Sequence, residues 1–142
     1  MTFHIGSVPN EAISQLWGVI GPFLIAGSRV EIDTDLETEI ANVMAGRARV
    51  WMITEDDRCV AAFVTRVICD SDGRALDIYG LGGVGQLRWG RYLNQVMHDY
   101  AKAAECERMI CKGRKALLRT YRGFRIVGED GAGHYIFERA VT

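Results

Sequence analysis

The chain has 142 residues, 49% apolar and 25% charged, with a net charge of −1. That is enough for one globular domain with its own core, and it argues against a disordered tail or a disulfide-stapled mini-protein. The longest apolar run, LWGVIGPFLIAG (16–27), is shorter than a membrane span and is interrupted by Gly and Pro, so no membrane partner is expected.

The N-terminus shows no basic region leading into an apolar stretch, which predicts a cytoplasmic protein. Cys59, Cys69, Cys106 and Cys111 form no C-x-x-C pair. They read as reduced thiols packed as small apolar groups, and no metal site is expected from them. The charge is unevenly spread. Residues 1–80 carry 6 Arg and no Lys against 12 acids, a net −6, whereas residues 81–142 carry 11 basic residues against 6 acids, a net +5. That asymmetry suggests an anionic partner for the second half.

In chain order, TFHIG (2–6) reads as a strand. A helix follows from Pro9, a favourable first helical residue, with Ile13, Leu16, Trp17 and Ile20 at helical spacing. Pro22 is expected to kink or end it. A second helix starts at Asp33 or Thr34, where Thr34 and Glu37 have capping-box spacing. Leu36, Ile40, Val43 and Met44 form its buried stripe, and Gly46 is the expected stop.

Strands then take over. RVWMIT (49–54), the acidic turn EDDR and CVAAFVTRVIC (59–69) predict a hairpin. DSDGR (70–74) is a second turn, and ALDIYGL (75–81) is a strand whose weak alternation suits burial on both faces. Next come Gly80, Gly82, Gly83 and Gly85, four glycines within six positions, and then the longest helix. Trp89, Leu93, Val96, Met97, Tyr100 and Ala104 fall on its apolar face, with Arg91, Asn94, Gln95, Asp99 and Lys102 turned away from it. ERMICK (107–112) is a strand and RKALLRTY (114–121) a short helix. GFRIVGE, the turn DGAG and HYIFERAV predict a closing hairpin. No repeat or linker divides the chain, so the expected order is β-α-α-β-β-β-α-β-α-β-β in one α/β domain over residues 1–142.

The glycine cluster has two physical readings. Bare backbone lets a phosphate approach amides at a helix start, or it relieves crowding where a strand turns into a helix. The basic stretch CKGRKALLRTYRGFR, with Lys112, Arg114, Lys115, Arg119, Arg122 and Arg125 and no acid, fits an anion site or a solvated basic face. It lacks interleaved aromatics, which argues against nucleic acid.

The element order, the glycine turn before the third helix and the segment ALLRTYRGFRIVGE (116–129) together resemble the GNAT superfamily of acetyl-CoA-dependent N-acyltransferases, over nearly the whole chain. The resemblance implies a single-domain GNAT-like fold with a mixed, mostly antiparallel, twisted sheet. It also implies acetyl-CoA as co-substrate and an amine acceptor, either a small molecule or a protein.

By the resemblance, pantetheine pairs with the fourth strand around Ile78 and Gly80. The diphosphate rests on amides of Gly82, Gly83, Val84 and Gly85, and Arg88, Arg91 and Arg114 hold the phosphates. The family pattern Gln/Arg-x-x-Gly-x-Gly/Ala is matched in its second half by Gly83-Val84-Gly85, while Gly80 stands at the Gln/Arg position. Gly123 and Phe124 form the corner that ends the fold.

The tyrosine that acts as acid in many members falls on Arg119, which could stabilise a thiolate by charge. Asp77 is the candidate base, or else a strand-edge carboxylate bonded to a turn, and Tyr79 shares its face of the strand. His4, His98 and His134 lack metal-ligand spacing. The compact turn and the missing tyrosine also resemble small, partly degenerate GNAT-like proteins of tailed phages. That likeness implies a non-catalytic alternative as a virion or host-interaction component, with Trp17, Trp51 and Trp89 as core or contact surface. The last hairpin could pair with a second copy to form a homo-oligomer.

Overall fold

The computed structural model describes residues 2–28, 36–129, 131 and 133–142. The proposed caps Asp33 and Thr34, and Asp130 and Ala132 of the DGAG turn, lie outside the described residues. Seven strands form one sheet in the order β1-β2-β3-β4-β5-β7-β6. The chain divides into two compact units, Met1–Arg66 with Tyr79–Gly85, and Val67–Ile78 with Gln86–Thr142.

The first unit holds β1 (Phe3–Val8), α1 (Ile13–Ser28), α2 (Leu36–Met44), β2 (Arg49–Glu55) and most of β3 (Arg58–Asp70). It also takes the far end of β4 (Gly73–Gly83). β1 pairs antiparallel with β2 from Phe3↔Glu55 to Val8↔Val50, and β2 pairs antiparallel with β3. Ile13, Ile20 and Leu24 of α1 and Val43 of α2 pack with Val8, Val50, Ala62, Val64 and Tyr79. On the opposite face of the hairpin, Trp51 and Phe63 stack at 6.0 Å, and the buried Trp51 indole donates to Thr65 Oγ1 at 2.8 Å.

α1 does not end at Pro22 but runs through it to Ser28. A mid-helix proline costs about 3 kcal/mol, and burial of Ile20 and Leu24 on either side of it offsets that loss. Gly46 does stop α2: at φ +78° it closes a Schellman turn, with Arg47 N–H on Asn42 O at 2.8 Å and Gly46 N–H on Val43 O at 3.0 Å. Asp56 and Asp57, at φ +50° and +68°, form a two-residue turn between β2 and β3.

The second unit contains α3 (Gln86–Ala103), β5 (Arg108–Gly113), a 3-10 turn (Lys115–Arg119), β6 (Arg125–Glu129) and β7 (Tyr135–Ala140). The 3-10 turn stands where a short helix was expected. β4 and β5 pair in parallel, which requires a crossover connection, and α3 supplies it. β5 and β6 both pair antiparallel with β7.

Trp89, Leu93, Met97 and Ala101 form the fully buried stripe of α3, so Ala101 takes the place expected for Ala104. Asn94, expected to face away, is buried and donates to Thr120 O at 2.8 Å. Gly90 lies one turn before it and brings the helix against the same Thr120 carbonyl. The corner behaves as expected: Gly123 has φ +82°, and Phe124 is buried against Tyr121 at 5.3 Å. Arg108 is buried as well, ion-paired closely with Asp70 and at 3.5 Å with Glu138. Cys106 and Cys111 are buried and Cys59 half-buried, whereas Cys69 is exposed and so is not the packed thiol expected. No helix among the described residues is long and apolar enough to cross a membrane.

Candidate functional site

β4 carries half of the expected site residues. Asp77 and Ile78, in the second unit, are the last β4 residues in register with β5, opposite Ile110 and Cys111. The strand itself runs on to Gly83. Asp77 is 5% exposed, and Tyr79 is 3% exposed with the Arg66 guanidinium 4.8 Å from its ring centroid. Gly80 then takes φ +66°, a left-handed conformation that re-aims a strand and that glycine adopts without a Cβ clash.

For Gly82 and Gly83 the structure gives the reason for glycine, and it is crowding. A Cβ on Gly82 would overlap the carbonyl oxygen of Phe23 in α1, and one on Gly83 would overlap Ala61 and lie 2.7 Å from Val60 O. Gly27 of α1 returns the contact, because a Cβ there would overlap the carbonyl of Gly80. Helix and strand therefore meet backbone to backbone, and only glycine on both sides permits it. The Val84 N–H donates to Val60 O at 2.9 Å, so this amide of the expected anion cradle is used within the unit. The Val84 side chain is 55% exposed, and Gly85 has φ +75°.

In the second unit, α3 begins at Gln86, with Arg88 and Arg91 exposed in its first two turns. Arg114 and Arg119 are exposed at either end of the 3-10 turn. Arg91 lines a cavity of about 320 Å³ together with Asn94, His98, Arg122 and Arg139. Gln95 also lines it and turns its amide to Asp99 at 3.1 Å, while His98 Nε2 accepts from Thr142 N–H at 3.3 Å. Three guanidinium groups thus border one cavity, which Thr142 also lines and whose His98 stands 3.7 Å from the Asp99 carboxylate. The sequence singled out Arg91 and Arg122, but Arg139 was hidden in the closing strand.

The first unit holds a second, narrower cavity of about 20 Å³. Trp17 and Leu24 of α1, Ile40 and Val43 of α2, and Val50 and Val64 of the hairpin help to line it. Its one charged lining residue is Glu39, 7% exposed, whose buried Oε2 has no hydrogen-bond partner among the described residues. Sequence reasoning missed Glu39. The signal was its place beside Ile40 and four residues before Val43, a carboxylate set into the apolar stripe of α2.

No protein-family profile matches the sequence, and no curated protein sequence matches it. Solved structures do match. A probable acetyltransferase from Staphylococcus epidermidis ATCC 12228 superposes with a TM-score of 0.72 at 11% identity, over 99% of this chain and 100% of that one. IAA acetyltransferase from Bacillus cereus ATCC 14579 gives 0.68 at 14% identity, over 98% and 99%. A predicted acetyltransferase with acetyl-CoA from Clostridium acetobutylicum gives 0.64 at 16% identity, over 91% and 94%. The element order, the parallel pair β4/β5 and these superpositions agree that the chain has the fold of the GNAT acetyltransferases.

Proposed function

We propose that this chain binds acetyl-CoA and transfers its acetyl group to an amine. The observation that carries the reading is β4. In a GNAT fold, this strand continues from Tyr79 to Gly83 past its register with β5 and is bent by the left-handed Gly80. Main-chain groups of that continuation are what an extended amide-bearing arm would pair with.

The first turn of α3 offers helix-terminal amides and a favourable dipole to phosphate, with Arg88 and Arg91 adding charge. The cavity bordered by Arg91, Arg122 and Arg139 adds basic side chains in the same unit as α3. The reading does not lean on Gly82 and Gly83, whose bareness packing already explains. Acetyl-CoA would supply an acetyl group activated as a thioester. This chain would then need to take a proton from the amine, and Asp77, buried on β4, remains the candidate.

A second reading has its own observation. Arg119, where the resemblance expects the acid tyrosine, is exposed and a poor proton donor near neutral pH. That favours a chain that binds the cofactor without turnover, as a degenerate phage-type protein would.

Thermal unfolding with acetyl-CoA tests both. Ligand at 100 times its dissociation constant adds about 2.7 kcal/mol of stability, and Arg91→Glu should shrink the shift. An unmoved melting temperature at saturating acetyl-CoA would overturn the proposal. A normal shift with no acetylation across a panel of amines would favour the second reading.

A further inference from the structure

We infer that β6 is a self-docking edge, through which two copies of this chain pair antiparallel about a two-fold axis at Val127. β6 (Arg125–Glu129) is the last strand of the sheet and pairs with β7 on one side. Its other side meets no strand among the described residues, so it presents main-chain donors and acceptors to whatever approaches. Ile126 and Val127, adjacent in the strand, are 41% and 46% exposed. A register shift between Ile126 and Gly128 leaves Val127 opposite no residue of β7.

Edges are kept single by charged residues or by a bulge. β6 carries both, which deters a strand of another sequence, but its charges match an antiparallel copy of itself. Arg125 and Glu129 lie two residues before and two residues after Val127. Across the axis, Arg125 meets the partner's Glu129 and Glu129 meets the partner's Arg125, with Val127 facing its own copy. Two ion pairs therefore form together. A parallel copy would set Arg against Arg and Glu against Glu, so charge selects one orientation.

Arg125 has donors to offer, since its side chain is 78% exposed and its contact with Glu138 is 3.9 Å long. The exposed Ile126 and Val127 are the apolar surface that the pairing would cover. A strand of five residues is well short of the roughly 20–30 residues a side of a standard interface, so the dimer is weak and depends on concentration. It closes at two copies, because each uses its β6 edge in the pairing. None of this rests on the acetyl-transfer reading.

The test is sedimentation velocity of the full chain over a wide concentration range. The wild type should pass from monomer to dimer as concentration rises, with nothing larger. Arg125→Glu alone, or Glu129→Arg alone, turns both cross-axis pairs into like charges and should weaken the dimer about tenfold or more. Arg125→Glu combined with Glu129→Arg makes the charges opposite again and should bring the dimer back. Rescue by the double exchange is a result that misfolding cannot produce. A wild type that stays monomeric at every concentration would overturn the inference and leave the edge to a strand of another protein. So would a dimer indifferent to both single reversals, or a double exchange that dimerises no better than either single variant.

Discussion

Each unit buries one charge that the sequence did not single out, and the two charges are treated in opposite ways. Arg108 in the second unit is enclosed by Asp70 and Glu138 on strands β3 and β7, so its charge is matched within the fold. Glu39 in the first unit sits among apolar side chains, with its Oε2 unmatched among the described residues. A matched buried charge is part of the architecture. An unmatched one costs stability. The backbones differ in the same sense. The first unit joins α1 to β4 through opposed glycines, whereas the second seats α3 against Thr120 with a side-chain hydrogen bond from Asn94.

The largest expected effect lies in the first unit's backbone contact. Gly82→Ala places a methyl group onto the Phe23 carbonyl, an atom that cannot swing aside. Overpacking against rigid backbone should cost about 3 kcal/mol or more. Urea unfolding measures it, and a loss below 1 kcal/mol would show that helix and strand can part without penalty.

The buried charges give the next contrast, with opposite signs. Arg108→Met leaves Asp70 and Glu138 facing an apolar side chain and should lose about 2 kcal/mol, less than a fully buried pair because both acids reach solvent. Glu39→Gln should instead gain about 1 kcal/mol, since the buried Oε2 has no hydrogen-bond partner among the described residues. A loss in Glu39→Gln would mean that the carboxylate is matched after all, and the contrast would collapse.

Acid sharpens the same point. Hydrogen bonds from the Arg108 guanidinium, and then from the Asp72 N–H, hold the Asp70 carboxyl below its ordinary 3.8. A carboxyl lowered on folding stabilises the fold above its unfolded value, and that contribution drains away as pH falls through the folded one. Asp70→Asn should therefore show a shallower decline in melting temperature below about pH 4. A decline as steep as the wild type's would dissociate Asp70 from acid stability.

Local chemistry was the legible part of this molecule. Gly46 stops α2, Gly123 and Phe124 make the corner, and the stripe of α3 follows its periodicity. The strand pattern, with the acidic two-residue turn, gave the hairpins and with them the fold class. What could not be read depended on partners distant in sequence. Pro22 is carried by burial of its helical neighbours, and Asn94 points inward because Thr120, 26 residues on, offers a carbonyl. Gly82 and Gly83 looked alike under a phosphate reading and a packing reading until α1 and β3 were seen against them. The candidate site was legible as a strand and a charge asymmetry. The cavities at Glu39 and at Arg139 were not, because a cavity is made by several elements and no single stretch records it.

The smallest effects come from one strained residue in each unit. Glu105 closes a Schellman turn after α3 at φ +61°, with Cys106 N–H on Ala101 O at 2.8 Å, the position that Gly46 fills after α2. A side chain at that angle costs about 1 kcal/mol or slightly more, so Glu105→Gly should gain about 1 kcal/mol even after the added freedom of the unfolded chain. Asp57 in the first unit's turn has a comparable φ of +68°, but aspartate tolerates left-handed backbone better than glutamate does. Asp57→Gly should therefore gain only about 0.5 kcal/mol. Thermal unfolding of the two variants side by side checks the order. A larger gain at Asp57 than at Glu105 would mean that the hairpin turn, not the helix end, carries the greater strain, because both substitutions free the unfolded chain about equally and differ mainly in the side chain they relieve.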